Sequence, residues 1–466
     1  MAIVAGDLKF IASERMIDNL STVAGVGGGG HMSQTEVVDG TENNVFPDVM
    51  PGDRVAGVVQ LRQVYPIVLS GDNDVLSNAA SGLTVRPTDA NVEVVAFTAT
   101  GTSSAAAAAA VGTKWQVPYV DSTYGDASNA TGGASTIGYA GPETIVVGDL
   151  VSIRRPAYQW WNGASYQQIA AGEYGVRIVT AVSGATLTVD GSASGWNSYD
   201  GKLVVVRLTS LAALGGGTRV SAVSHTTAGA SASDDEITID KLWAAVQLPG
   251  ASTINESGEP SARLGMLPLY LPGDVLLIEN GSTRESVVVE HVNYVTGVVT
   301  LTAGLVNAFA SGSKVTRPVP LGVLQAAANN VFAQQTWTRA WSDAAIGAGI
   351  SARYSGVITM SNKGGATDRW ACVFTSSTQF NLISERLGQI ATGNVGTDFL
   401  PLNPMTSEPY FTLLATGWGS GWLPGNVLRF NTRAASSPIW LSRLVKPSAA
   451  GGTVQATLFL RGDVNA

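Results

Sequence analysis

The chain has 466 residues, a formal net charge of −8 and only 13% charged residues, against about 25% in an ordinary globular protein. Apolar residues make up 45%, which is enough to fill real cores. So few charges indicate a surface of small polar residues, or one that neighbouring subunits cover. There is no Lys/Arg run that would predict nucleic-acid binding, and no apolar stretch of about 20 residues that would predict a membrane span. The N-terminus lacks the pattern of a signal peptide, so we expect assembly in a cytoplasm.

The N-terminal region, residues 1–75, carries a run of four glycines directly before a histidine. A phosphate-binding loop would need Gly-Lys-Ser/Thr after a strand and a helix behind it, whereas His31, Met32 and Ser33 follow here. The three histidines lie far apart, with no cysteine near them, so they have no metal-ligand spacing. We therefore predict that Gly27–Gly30 form a mobile strap.

Strand signals dominate the first third of the chain. The segments Arg54–Ser70 and Asn91–Gly101 are β-branched runs that end at turn residues. Residues 76–145 read as an Ala/Gly-rich connecting region. Within it, Thr102–Trp115 is the best helix candidate, because a Ser cap precedes a run of alanines.

A degenerate internal repeat organises the middle of the chain. "VVGDLVSI" (Val146–Ile153) and "LPGDVLLI" (Leu271–Ile278) each place a Gly-Asp turn before a buried strand, and each copy then turns at a glycine, Gly184 or Gly297. The pattern predicts two small β-barrel modules, residues 146–210 and 263–319, joined by an intermediate segment, 211–262. The first copy is longer, and Pro156–Gln167 would form its protruding loop.

This loop carries two adjacent tryptophans, Trp160 and Trp161. Exposed aromatic rings can fill a partner's pocket or stack on sugars. They can equally pack under their own loop, and the sequence leaves these alternatives open.

The C-terminal region, residues 320–466, contains short strand signals at a count typical of one antiparallel sandwich. Pro320–Trp341 is a second helix candidate, although its C-terminal half also fits a strand. In Leu414–Thr432, two tryptophans flank Gly-Ser-Gly, which indicates a turn scaffold where aromatic rings cover close-packed backbone.

Residues of catalytic type occur without a catalytic arrangement. A loop-to-strand junction holds Asp234, Asp235 and Glu236. A solvated turn is a simpler interpretation of these residues than a glycosidase carboxylate pair. There is no Gly-x-Ser-x-Gly elbow, and the single cysteine, Cys372, reads as a buried free thiol. We predict no enzyme activity, no cofactor and no metal.

Both ends of the chain resemble one family. "MAIVAGDLKFIASERM", "VVDGTENNVFPDV" and "VVQLRQVYPIVL" near the start are similar to tail structural proteins of Mu-like transposable bacteriophages with long flexible tails. So are "RWACVFTSSTQFNLISERLGQIATG", "LNPMTSEPYFTLLATGWGSGWLPGNVLRFNT" and "PIWLSRLV" near the end. The modules between fit by pattern only, and no catalytic residue carries over.

The resemblance implies a structural component of a tail tip or baseplate in the virion, and the expected fold is mainly β, with the two barrels and a C-terminal sandwich-like domain. Expected partners are copies of itself, as a trimer or six-fold-compatible ring, and adjacent baseplate, tail-tip and fibre proteins. The alternative is a receptor-binding or glycan-degrading tail protein. Partner contacts are predicted at Gly27, Gly28, Gly29, Gly30, Trp160 and Trp161.

Overall fold

The computed structural model describes residues 3–19, 26–98, 136–138, 145–155, 158–161, 166–169, 172–190, 204–210, 220–246, 265–293, 296–445 and 454–464. The prediction of a mainly β, multidomain fold is confirmed: the strands form several sheets, among them a half-barrel. Within the described residues the only α-helix is α1, Pro51–Ala56, which begins with proline at its first position. The helix predicted at Thr102–Trp115 lies outside the described residues.

The strands fall into four stretches of the chain. The first holds β1 (Leu8–Arg15), β2 (Gly29–Glu36), β3 (Val58–Val68), β4 (Leu76–Val85) and β5 (Val92–Phe97). The second holds β6 (Thr136–Gly138), β7 (Asp149–Arg155), β8 (Tyr158–Trp161), β9 (Tyr166–Ile169), β10 (Gly172–Ser183), β11 (Thr186–Val189) and β12 (Val204–Ser210). The third holds β13 (Val220–Ser221), β14 (Val223–His225), β15 (Glu236–Thr238), β16 (Trp243–Val246), β17 (Gly265–Pro268), β18 (Val275–Asn280), β19 (Thr283–Asn293), β20 (Val298–Leu301) and β21 (Lys314–Thr316). The last holds β22 (Val319–Leu324), β23 (Ala327–Gln334), β24 (Asp368–Phe374), β25 (Gln379–Ser384), β26 (Gly388–Asn394), β27 (Val427–Arg433), β28 (Ile439–Val445) and β29 (Thr457–Val464).

The N-terminal sheet has the order β13-β5-β28-β3-β1-β2, so a strand from near the C-terminus lies at its centre. Every residue of β28 is buried, and it pairs antiparallel with β3 on one side and β5 on the other. A second small sheet, β22-β4-β29, again joins early and late strands. The predicted assignment of all residues after 320 to one C-terminal domain is therefore wrong for these strands. Their apolar patterns show burial but do not specify which strand is the partner.

The two repeat copies fold into two separate sheets with the same strand order. The orders β12-β7-β10-β11-β6 and β21-β18-β19-β20-β15 match strand for strand, and β14 adds to the second copy. Asp149 and Asp274 accept equivalent hydrogen bonds from the backbone three residues earlier, at 3.0 and 2.7 Å. Gly148 and Gly273, at φ +90° and +87°, supply the left-handed residue that each turn requires.

The second copy closes on itself. A bridge between Thr226 and Ile239 joins the ends of β14 and β15, completing a ring of strands around an apolar core. The prediction of a small barrel is thus supported for this copy, with a corrected boundary, because β14 and β15 come from the predicted intermediate segment. In the first copy, β8 and β9 form a separate hairpin where the inserted loop was predicted.

The C-terminal sheet has the order β23-β27-β24-β25-β26. An irregular covering layer, residues 354–360, 399–402 and 409–418, packs over it and encloses an aromatic core. Within this core Phe374 stacks on Trp422, with 4.1 Å between ring centroids. The predicted turn scaffold is present, since Gly417 lies so close to the Tyr354 ring that a Cβ would approach it to 2.5 Å. The helix candidate Pro320–Trp341 is wrong: β22 and β23 occupy its first two-thirds.

Candidate assembly surfaces

The glycine run lies inside the molecule. Gly27–Gly30 are buried, the last two begin β2, and β2 pairs antiparallel with β1. The amide of Gly28 donates to the carbonyl of Asn19 at 2.7 Å, and Arg15 Nε donates to the carbonyl of Gly27 at 2.5 Å. The run is therefore the buried start of a hairpin arm, which corrects the prediction of a mobile strap.

Gly30 shows why this position excludes a side chain. Its φ is +102°, and a Cβ would lie 2.7 Å from Arg15 Nη2. The hydroxyl of Tyr65 donates to its carbonyl at 2.5 Å, and burial raises the pKa of that hydroxyl. The glycines therefore let the backbone approach side chains of β1 and β3. Contact of Gly27, Gly28, Gly29 and Gly30 with a partner subunit stays a prediction.

Arg386 connects this hairpin to the C-terminal sheet. It donates to the carbonyl of Met32 at 3.3 Å and lies 3.7 Å from the Glu14 carboxylate. Beneath it, the hydroxyl of Ser384 donates to Asp368 at 2.5 Å, and burial raises the pKa of Asp368. Sequence reasoning missed this junction, because its members come from strands that are hundreds of residues apart.

Strand β2 forms one edge of the N-terminal sheet among the described strands. Its second half is largely exposed, and Lys9 pairs with Glu36 there at 2.9 Å. An edge strand presents unpaired backbone groups to which another chain can add a strand. The edge is thus one surface through which copies could associate.

The predicted aromatic site falls on the inserted hairpin. Trp160 pairs with Gln167 and Trp161 pairs with Tyr166 across β8 and β9. This hairpin is a separate two-stranded sheet, and its protrusion stays a prediction. The tryptophan side chains lie outside the described part of the chain, so their partner contact stays a prediction.

A second candidate surface is the outer face of the covering layer. Antiparallel bridges join Thr359 to Thr412 and Phe399 to Leu413, so the three segments of the layer lie side by side. Residues 399–402 alternate between buried and exposed, and each of the other two segments also carries exposed residues next to buried ones. Inward-facing Ile358 and Leu413 fill the aromatic core. The outward-facing positions hold an aliphatic patch: Val357 (75% exposed), Leu400 (47%), Leu402 (60%) and Leu414 (40%).

The patch lies on the face opposite the core, so 40–75% of each of these residues stays exposed. Directly paired residues in an antiparallel layer have Cβ atoms about 5 Å apart, so outward side chains on neighbouring segments lie on one surface. Exposed aliphatic residues gathered in this way mark contact surfaces more often than scattered ones do. The segments "SGVITM" and "DFLPL" place apolar residues at adjacent positions, so the outward face could not be read from their sequence.

Asp234 and Cys372, two residues of catalytic type, have structural surroundings. Asp234 accepts a hydrogen bond from the backbone of Ser231 at 2.6 Å, which makes it part of a turn. Cys372 is fully buried among aromatic rings, and this burial raises the pKa of its thiol. Among the described residues, no cluster of His, Cys, Asp and Glu has metal-binding geometry, and no helix is long and apolar enough to cross a membrane.

Comparison of the sequence with models of protein families and with curated proteins finds no match.

Proposed function

We propose that this protein is a structural component of a bacteriophage tail tip or baseplate that acts by associating with copies of itself and with neighbouring tail proteins. The resemblance of both chain ends to Mu-like tail proteins supports the tail assignment. The low charge of the chain, 13%, supports an assembled state. In this proposal the chain is not an enzyme, and it enters the virion after assembly in the host cytoplasm.

The observation that carries association is the aliphatic patch on the covering layer. Val357 is 75% exposed and Leu400 is 47% exposed, although their chain neighbours Ile358 and Phe399 line a well-packed core. Fully burying an aliphatic side chain is worth about 1.5–3 kcal/mol. Contact with a second copy or with a neighbouring tail protein would remove this surface from water, whereas it stays exposed to solvent in the isolated chain.

Substitution of the patch tests this proposal. Val357→Lys combined with Leu400→Lys should weaken self-association at least tenfold, about 1.4 kcal/mol, as measured by multi-angle light scattering across a concentration series. The matched control is Val55→Lys on α1, because Val55 is 80% exposed and lies in the N-terminal region. A wild-type chain that stays monomeric at all concentrations would overturn the association step.

A reconstruction of the tail tip from virions tests the location. We expect density for this chain around the tail axis, in a trimer or a six-fold-compatible ring. Absence of the chain from purified virions would contradict the tail assignment, but it would not contradict the proposal of self-association. Release of reducing ends from surface polysaccharide would instead favour the glycan-degrading alternative.

A further inference from the structure

A groove of about 460 Å³ lies between the second barrel and strand β29. One wall is formed by β18, β19 and β21 of the barrel, and the other by β29 with Thr84 of β4. Its size is within the range of small-molecule sites, about 300–1,000 Å³. The groove belongs neither to the hairpin junction nor to the aliphatic patch.

The groove carries an excess of positive charge. Its cations are Arg284, Lys314 and Arg461, and its carboxylates are Glu279 and Glu285. The cationic lining contrasts with a chain of net charge −8, so it is a local feature rather than a sample of the average surface.

Both carboxylates already have partners. Glu285 accepts hydrogen bonds from the amides of Val306 and Asn307 at 2.7 and 2.9 Å, so it holds the following loop. Glu279 pairs with Arg284 at 2.8 Å and lies directly across from Lys314 in the sheet. Arg284 and Glu279 thus offset each other and Glu285 is held by backbone amides, which leaves Lys314 and Arg461 as the charges that face a ligand.

Arg461 is positioned for recognition. Its Nη1 donates to Ser286 Oγ at 3.2 Å, which orients the guanidinium across the groove. Burial lowers the pKa of Arg461, although nearby Glu279 and Asp463 oppose this. A planar guanidinium that is fixed and partly desolvated can bind a carboxylate through two parallel hydrogen bonds.

Phe459 adds an apolar surface two residues away on the same strand face. Its ring lies against Gly82, where a Cβ would approach the ring to 3.0 Å. Because Gly82 has no side chain, the Phe459 ring packs directly against the sheet beside Arg461. An aromatic ring next to charged donors suits a ligand with both C–H faces and acidic groups.

We propose that this groove binds an acidic saccharide, with Arg461 and Lys314 holding a sugar carboxylate and Phe459 packing against the sugar ring. The inference does not rest on the proposed tail function. On the barrel wall, side chains rather than backbone groups provide the recognition, because β18, β19 and β21 are each paired on both sides, whereas β29 on the other wall pairs only with β4 among the described strands. An extended peptide strand, which requires a free strand edge, therefore finds none on the barrel wall.

Titration calorimetry of the full chain with trigalacturonic acid tests the proposal. We expect a Kd on the order of 1 mM or tighter, and at least tenfold weaker binding of the fully methyl-esterified trisaccharide, which keeps the shape and loses the charge. Arg461→Gln should weaken binding of the acid at least tenfold, and Phe459→Leu should weaken binding of the acid and its ester alike. Circular dichroism verifies that each variant is folded.

Arg433→Gln is the matched control, because Arg433 is an exposed arginine on β27 of the C-terminal sheet. It should leave binding unchanged. The proposal is overturned if the acid does not bind at about 10 mM, if the ester binds equally well, or if Arg433→Gln weakens binding as much as Arg461→Gln does. Equal binding of a hexaglutamate peptide would also overturn it, since carboxylates would then be bound without a sugar.

Discussion

Substitution of Gly30 by alanine tests whether the glycine run is a buried hairpin or a mobile strap. The residue has φ +102°, and a Cβ would lie 2.7 to 3.0 Å from three atoms of the Arg15 guanidinium. Left-handed backbone costs a non-glycine residue about 1–2 kcal/mol. Displacing Arg15 also breaks its hydrogen bond to Gly27, worth about 1.5–3 kcal/mol for a charged donor. We expect a total cost of about 2–4 kcal/mol, since part of the guanidinium's bonding can move to water.

Gly40→Ala is the matched control. Gly40 also has positive φ, +74°, but a Cβ there would meet nothing within 4 Å. It should therefore show the backbone cost alone, about 1–2 kcal/mol. The difference between the two variants isolates the loss of the Arg15 contact.

Amide hydrogen exchange is the appropriate assay, because a multi-sheet chain can open locally without global unfolding. Gly30→Ala should speed exchange across β1 and β2, whereas Gly40→Ala should leave these strands protected. If both variants exchange alike, or if β2 is unprotected in the wild-type chain, the buried-hairpin interpretation is wrong.

Three further experiments test other parts of the fold. Burial raises the pKa of Asp368 above 3.8, so the folded chain holds this proton more tightly than the unfolded chain does. The free energy of unfolding should therefore fall as pH rises from 3.8 through the raised pKa. Asp368→Asn should flatten this pH dependence in urea titrations, and equal slopes for variant and wild type would contradict the reasoning. Replacing residues 156–171 with Gly-Ser should leave the first module folded, because the second joins the equivalent strands through Gly281 and Ser282; loss of amide protection in β7 and β10 would count against the equivalence. Cys372 should react with a thiol reagent only at the rate of unfolding, because it is fully buried; rapid labelling of the native chain would show that the aromatic core is open.

The repeat was predictable from sequence because its turns have local signatures. A Gly-Asp pair before an apolar run specifies a positive φ followed by an aspartate that caps the turn. Gly184 and Gly297 do adopt positive φ, at +57° and +79°. These features need no knowledge of distant residues, so two weakly similar segments could be recognised as one fold.

The helix candidate at Pro320–Trp341 failed because tertiary pairing overrode local propensity. "LQAAANN" favours a helix residue by residue, yet β23 pairs with β27 across a register shift between Asn329 and Phe332. Asn330 lies in this shift at φ +51°, a conformation that asparagine tolerates. The adjacent asparagines were the available signal for a bulge.

The groove and the hairpin junction could not be predicted, because both depend on which strands meet. Arg461 and Ser286 are 175 residues apart in the chain, and Arg386 and Met32 are 354 apart. Nothing in the local pattern around either arginine differs from that of a solvated surface residue. Only the insertion of late strands among early ones brings these groups together.

The central position of β28 explains how so distant a pairing is stabilised. Arg443 on β28 donates to Gln60 on β3, 383 residues earlier in the chain, and closing a flexible loop of that length costs roughly 5 kcal/mol. Burying Ile439, Trp440 and Leu441 at 0–3% exposure returns about 1.5–3 kcal/mol for each side chain. Burial of β28 between β3 and β5 thus offsets the cost of closing the loop.

Two buried arginines of this sheet contact Phe46. Arg443 lies 4.8 Å from the centroid of the Phe46 ring and donates to the carbonyl of Pro47 at 2.7 Å, while Arg62 lies 5.7 Å from the same ring and binds both carboxylate oxygens of Asp18. Burial, and then repulsion from Arg62, lower the pKa of Arg443 to about 10, yet it stays charged at neutral pH. Arg62 lies on β3 and Arg443 on β28, so Phe46 contacts cations from two paired strands. The position of Phe46 and Pro47 over this sheet therefore depends on a strand from each end of the chain.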